Sequence, residues 1–341
     1  GKLDLALDEL KSLGRQFFLE PKYIQQKAEI FVLQEKYDLA AREFNLLFDL
    51  WSGDHQLLLV LAQMQRGAKL YPDAEISLLK SLAVKPSFHY AEIELLRIYL
   101  MQKNLVKAQP LANKLLKLNP KNANVQLLAG DIDYANKQFI KAQKRYLLAL
   151  KFNNNYFNAA IKLYKLTRDK QIGKSVFEST LLTIVNQHEN SHFHRNLLAD
   201  FYLSINEKVK AKVHYEILDQ VENLADRKYL YNNLANIYID ENLNKALVYA
   251  DKALVIDTSN ANFYDTKGWI LCLKKDYQQG LNFLRQSYAI NSSNPSNRYH
   301  IAYALNKLNR KVEAKIELDA ALFSDENFVE RKHAEKLNET L

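Results

Sequence analysis

The stretch Phe263–Pro295, "FYDTKGWILCLKKDYQQGLNFLRQSYAINSSNP", decides the fold. It carries Gly268 and Trp269, then Gly280, and it ends on Asn294-Pro295. The residues that follow, "RYHIAYALNKLNRKVEAKIELDAAL", place Ala302 34 positions after Gly268 and Ala314 34 positions after Gly280. Backwards from Gly268 the same phase runs through Ala235, Ala199, Tyr164, Gly130, Leu96, Ala62 and Ala28. A companion series runs Ala40, Ala74, Ala108, Ala142, Val176, Ala211, Ala246, Gly280 and Ala314. The stretch is therefore one copy of a unit that recurs along almost the whole chain.

A period of 34 is that of the tetratricopeptide repeat, a helix–turn–helix unit. Each unit opens on an apolar-periodic helix such as "HYAEIELLRIYL" or "YLYNNLANIYI" and continues through a polar turn into a second helix such as "AQKRYLLALKF". Small residues recur where two helices must approach closely. Lys-Pro and Asn-Pro steps ("LAVKPS", "LKLNPKN", "SSNPSN") punctuate the array, since proline past a helix end cannot continue it. The expectation is an all-α solenoid wound as a right-handed superhelix. It has about nine full repeats, an N-terminal half repeat and a C-terminal capping helix. The sequence divides it into a lone second helix (1–19), regular repeats (20–156 and 193–325), a less regular repeat (157–192) and the cap (326–341). In the irregular repeat, Tyr164 and Val176 stand where small residues stand elsewhere, so a bend is expected there. The first helix aligns with second helices, since Ala6 lies 34 before Ala40. A fragment of a longer array is the expectation, with the apolar face of Leu3, Leu7 and Leu10 left open.

The composition fits a solenoid: 341 residues, 48% hydrophobic, only 8 Gly and 6 Pro. Length does not limit such a core, which is quasi-one-dimensional. Cys272 is the only cysteine, which excludes an intramolecular disulfide. No apolar run is long enough to span a membrane, and no secretory leader is visible. No P-loop, dinucleotide fingerprint or paired-carboxylate site survives the repeat assignment, so neither catalytic residues nor a cofactor is expected. "HENSHFH" gathers His188, His192 and His194, but lacks the Cys or Asp to complete a metal set; it is expected to be a surface loop between units.

The C-terminal third carries "YLYNNLANIYIDENLNKALVYADKAL", "YDTKGW", "NPSNRYHIAYAL" and "ENFVERKHAEKL". This succession resembles the C-terminal end of the tetratricopeptide-repeat lipoproteins of bacterial PEP-CTERM/exosortase systems, most closely over 229–341. It departs from them at Lys267 and in the glycine-free turn Lys274–Asp276. The resemblance implies an envelope protein, periplasmic or membrane-anchored, that accompanies exopolysaccharide production and protein sorting. It brings no catalytic residues. A substrate-reading arm of an enzyme such as a glycosyltransferase, and a cytoplasmic peptide-docking adaptor, are the alternatives.

In such an array the first helices line the concave face. Positions flanking each phase residue give a candidate groove: Asn196, Asp200, Asn232, Asn236, Asp265, Trp269, Tyr299, Tyr303 and Asn306. Asn and Asp supply hydrogen bonds to an extended peptide, and Trp and Tyr supply contact area or a surface for stacking on sugar rings. A protein or peptide partner is expected first, an acidic polysaccharide second. The Lys–Asn–Arg set that clamps a terminal carboxylate is incomplete, because Asn232 occupies the lysine's place. Charge is uneven: from Lys103 to Lys174 there are 15 Lys/Arg against three Asp, within a chain of net charge +8. Lys137, Lys141 and Lys144 map to turns and second helices; Arg97, Lys165 and Arg168 map to first helices. Nucleic acid is not the expected partner, because aromatic residues do not interleave these lysines.

Overall fold

The computed structural model of the chain describes residues 2–17, 20–50, 54–169, 171–324 and 328–341. Among them are twenty helices and no strand. The chain forms two compact units, 1–180 and 181–341. In unit 1, α1 (Lys2–Phe17) is followed by the pairs α2 (Pro21–Leu33)/α3 (Tyr37–Leu50), α4 (His55–Gly67)/α5 (Tyr71–Val84), α6 (His89–Met101)/α7 (Leu105–Leu118) and α8 (Ala123–Ala135)/α9 (Phe139–Phe152). Next come α10 (Phe157–Arg168) and α11 (Lys174–Gln187), and the division falls inside α11. Unit 2 holds α12 (His192–Ser204)/α13 (Lys208–Asp219), α14 (Lys228–Tyr238)/α15 (Leu243–Ile256), α16 (Ala261–Leu273)/α17 (Tyr277–Ile290), α18 (Pro295–Lys307)/α19 (Lys311–Phe323) and the short α20 (Arg331–Asn338). This is the tetratricopeptide architecture: nine helix pairs, a preceding lone helix and a following one. Residues 1, 18, 19, 326 and 327 of the expected terminal segments lie outside the described residues.

The periodic small residues are the seams of these pairs. Ala28, Ala62, Ala199, Ala235 and Ala302, and their partners Ala40, Ala74, Ala108, Ala142, Ala211, Ala246 and Ala314, have no exposed surface. At the seam of α16 and α17 two glycines let the backbones approach. A Cβ on Gly280 would sit 2.5 Å from the Cys272 sulfur and 2.8 Å from the Gly268 carbonyl oxygen, so only hydrogen fits. The irregular repeat corrects the phase assigned from sequence. The shift is in its second helix, where Phe177 is buried and Val176 partly exposed; Tyr164 of the first helix keeps its phase but is partly exposed, beside the buried Leu163. The Tyr164 and Phe177 rings face each other at 5.4 Å, a wider spacer than two alanines.

The turns within repeats are built alike. Glu35, Lys69, Lys103, Lys137, Asn206, Lys275 and Asn309 all take positive φ, between 57° and 69°. At each, the next amide reaches back to a carbonyl five residues upstream, as in Asp276 N–H to Leu271 O at 2.9 Å and Asn104 N–H to Tyr99 O at 2.8 Å. This is the Schellman closure, performed here without glycine. The proline punctuation needs a correction. Pro86 and Pro120 lie between helices, but Pro295 is the first residue of α18, where Asn294 caps the Ser296 amide. Its fixed φ opens a helix instead of following one.

Within each unit, first helices touch one another: α4 with α6, α6 with α8, then α14 with α16, α16 with α18 and α18 with α20. Successive second helices make no comparable contact among the described residues. Crowded first helices and splayed second helices put the first helices on the inner face of each unit. At the start of the chain, Leu7 is covered by Phe31 and Ala40, although Leu5 stays 67% exposed. The open apolar face expected of α1 is thus partly closed by the next repeat. None of the described helices is long and apolar enough to cross a membrane.

Candidate functional site

The inner face of unit 2 centres on α16. Gly268 presses its backbone against α17, and the next residue, Trp269, is turned toward the neighbouring first helix α18. There its ring stacks on His300 at 4.2 Å and 16°, and meets the edge of Tyr303 at 5.1 Å. Trp269 remains partly exposed, as does Tyr303. The aromatic wall is therefore held by its neighbours and still offers surface.

Beneath the indole lies a polar knot that the sequence reading missed. His300 is buried, and its Nδ1 donates to the Asp265 carboxylate at 3.0 and 3.1 Å. Asp265 also accepts from the Asn297 amide at 2.8 Å. On the other side, His300 Nε2 lies 3.9 Å from Glu330, whose second oxygen accepts from the Ser296 hydroxyl at 2.8 Å. Burial alone would push the imidazole pKa down; the charge and hydrogen bond of Asp265, joined by Glu330, outweigh it and raise the pKa. His300 was findable in principle. It sits 35 residues after Asp265, one repeat plus one position, where adjacent first helices face each other.

A cavity of about 450 Å³ opens over this knot. Of the nine groove candidates it gathers four: Asn232, Asn236, Asp265 and Trp269. Thr266, Ser296, His300 and Glu330 join them, and the Lys208–Asp240 pair, at 2.6 Å, lines it further on. Asn236 is exposed; its amide donates to the Asn232 backbone carbonyl at 3.0 Å and to the Thr266 hydroxyl at 3.4 Å. Tyr303 stands beside Trp269 on the same wall, and Asn306 follows one turn later on α18.

Three candidates are otherwise employed. Tyr299 is only 6% exposed and packs with Ala302, Leu318, Ala321 and Phe328, so its ring is wall and not contact surface. Asp200 accepts from the buried Tyr215 hydroxyl and, at 3.1 Å, from the Asn196 amide, and burial raises its pKa. Asn196 and Asp200 thus serve the seam of their own repeat. The histidine cluster is only partly a loop: His188 lies exposed in the connection between α11 and α12, as expected. His192 begins α12, and His194 is fully buried in it, with its pKa pushed down by burial. Cys272 is buried at the α16–α17 seam and its thiol pKa is pushed up to about 12, which removes it as a nucleophile at neutral pH.

The basic candidates fall in two places. Lys137 occupies a left-handed turn position, and Lys141 and Lys144 are exposed on the second helix α9. Lys165 and Arg168 are on the first helix α10, with Lys165 Nζ 5.0 Å over the Tyr134 ring and Arg168 3.3 Å from Asp169.

Comparison with known proteins gives the following likenesses. A family model described as "Anaphase-promoting complex, cyclosome, subunit 3" matches residues 240–321, the segment that holds Trp269 and Tyr303. No curated protein matches the chain. Among solved structures, the crystal structure of the APC/C hetero-tetramer Cut9-Hcn1 is similar at 12% identity and TM-score 0.49, over 94% of this chain and 76% of that one. A tetratricopeptide repeat protein from Parabacteroides merdae is similar at 16% identity and TM-score 0.45, over 74% of this chain and 99% of that one. MamA (41-end) from Desulfovibrio magneticus RS-1 is similar at 14% identity and TM-score 0.41, over 49% and 93%.

Proposed function

We propose that this tetratricopeptide-repeat array is a non-catalytic interaction scaffold, and that the inner face of unit 2 holds an extended peptide. The observation that carries this reading is one cavity lined by Trp269, Asn232 and Asn236, with the Tyr303 ring set edge-on against Trp269 beside it. The wall supplies contact area at low entropic cost, because its rings are already held by His300 and by each other. The asparagines supply paired donors and acceptors for a peptide backbone. Asp265 holds His300 in place behind this surface, and Tyr299 backs the wall.

Peptides selected from a random library against the full chain test the reading. Their affinity should fall by about 2 kcal/mol or more in a Trp269→Ala/Tyr303→Ala variant that still melts cooperatively. Replacing Lys137, Lys141 and Lys144 by Gln should change only the salt dependence. Normal binding by the aromatic variant, with loss in the lysine variant, would place the working surface on the second helices.

The setting we propose is the bacterial cell envelope, in the company of exopolysaccharide production and exosortase sorting. The support is the resemblance of 229–341 to the lipoproteins of those systems. Fractionation of the native protein from its host checks this; recovery from the cytosol alone would overturn it.

A further inference from the structure

Unit 1 has a groove of its own, with a different chemistry. A cavity of about 580 Å³ is lined by the first helices α6, α8 and α10, together with the turn that carries Lys103 and the first residue of α7, Leu105. Its floor is apolar: Leu100, Met101, Leu105 and Leu128, with the Tyr134 ring at one side. Met101 is 42% exposed although it sits on a first helix. Its rim is cationic, with Arg97, Lys103 and Lys162 lining it and Lys165 above Tyr134.

The balance of charge points to what would enter. Asp131 is the only carboxylate among the lining residues. It is already taken by the Lys162 ammonium at 3.0 Å and by the Tyr146 hydroxyl at 2.8 Å. Arg97 is partly held by Glu94 at 3.2 Å. Lys103 and Lys165 make no ion pair among the described residues and stand beside an apolar floor. A groove of this kind rewards a ligand with negative charge on both sides of an apolar side chain.

We infer that the unit 1 groove between α6, α8 and α10 is a docking site for an acidic peptide segment that carries one aliphatic or aromatic anchor. A nucleic acid fits less well. Tyr134 is the one aromatic ring at the cavity, and Lys165 already covers it, so no stacking platform is left for successive bases. An acidic polysaccharide would leave the floor of Leu100, Met101 and Leu128 without apolar partners. The cavity volume lies in the range that accepts side chains and small ligands.

Fluorescence anisotropy with the full chain tests the site. The probes are a labelled peptide of Glu and Ser with a central Leu, the same peptide with Lys for Glu, an oligothymidylate and an oligogalacturonate. The Glu/Leu peptide should bind saturably and loosen as salt rises from about 50 to about 300 mM. Lys103→Glu/Lys165→Glu should weaken it about tenfold or more. Glu is tolerated at the first of these positions, since Glu35 takes the same left-handed turn conformation in an earlier repeat. Met101→Ser should weaken it about threefold or more with the salt dependence unchanged. Trp269→Ala/Tyr303→Ala should leave it unaffected, which separates this site from the unit 2 groove. The inference is overturned by no saturable binding of the Glu/Leu peptide, by equal binding of the Lys peptide, or by tighter binding of the oligothymidylate or oligogalacturonate. Unchanged affinity in the Lys103/Lys165 variant, or loss of binding in the Trp269/Tyr303 variant, also overturns it.

Discussion

Single residues set the tolerances of this fold in opposite ways. Gly280 and Gly268 let two backbones meet, and a methyl group at Gly280 would strike the Gly268 carbonyl, which cannot swing aside as a side chain can. Gly280→Ala should therefore cost about 2 kcal/mol in denaturant unfolding, within the range of overpacked cores. Lys275 shows the converse. Its φ of 69° is one that a side chain disfavours, so Lys275→Gly should stabilise by about 0.5 kcal/mol once the extra freedom of the unfolded glycine is offset. His300 adds a dependence on pH. Its folded pKa is raised above the ordinary value of 6.5 by Asp265 and Glu330 despite burial. The stability this contributes is fully present below 6.5 and is lost as pH rises through the raised value. Melting temperature should decline through that window in the native chain, and the decline should be absent in His300→Gln. A His300→Gln chain with the same decline would mean that the Asp265–His300–Glu330 knot does not set it.

Pairs of helices carry most of what could be read from sequence, because their seams need small side chains at fixed intervals. Ala74, Ala142, Ala235 and Ala314 announced the seams, and all are fully buried. The reading failed where the spacing slipped in the irregular repeat. In that repeat α11 begins 35 residues after α9, one more than the period, so Phe177 and not Val176 takes the buried place that Ala142 holds in α9. The left-handed turn residues were hidden, since Lys, Glu and Asn at those positions carry no glycine signal. Of the groove, the columns along the first helices were legible from the phase. Their occupancy was not, because it depends on cross-repeat contacts such as His300 to Asp265 and Asn233 to Tyr215 at 2.8 Å. That second contact belongs to a lock that joins α12, α13 and α14: the buried Tyr215 hydroxyl serves both Asp200 and Asn233. Tyr215→Phe removes the shared hydroxyl and leaves two polar groups short of a partner. It should cost about 1–3 kcal/mol, more than the exposed pair Lys208–Asp240 costs when broken. Denaturant titration of the two variants side by side decides this.

The molecule as a whole inherits its behaviour from the way repeats touch. A residue in one helix pair meets the pairs before and after it, and core contacts run from neighbour to neighbour: Cys272, Leu281 and Leu284 cluster with Ile301, Ala304 and Ala314 of the next repeat, while Ala74, Leu78 and Leu95 cluster with Ala108, Leu115 and Val125 in unit 1. Stability in such an array is a sum of repeat terms and nearest-neighbour terms, without a single core that fails at once. Damage should therefore stay local. In the Gly280→Ala chain, backbone amides of α16, α17 and α18 should exchange with solvent faster by roughly the factor that about 2 kcal/mol implies, near thirtyfold. Amides of α4 to α8 in unit 1 should keep their native protection, because no contact of the altered seam reaches them. Hydrogen exchange read by mass spectrometry resolves the two regions in one experiment. If protection fell equally in both, the array would be unfolding as one cooperative body, and the independence of the two grooves would go with it. A ligand seated at Trp269 would then stabilise the Met101 site as well, and binding at one site would no longer be separable from the other by substitution.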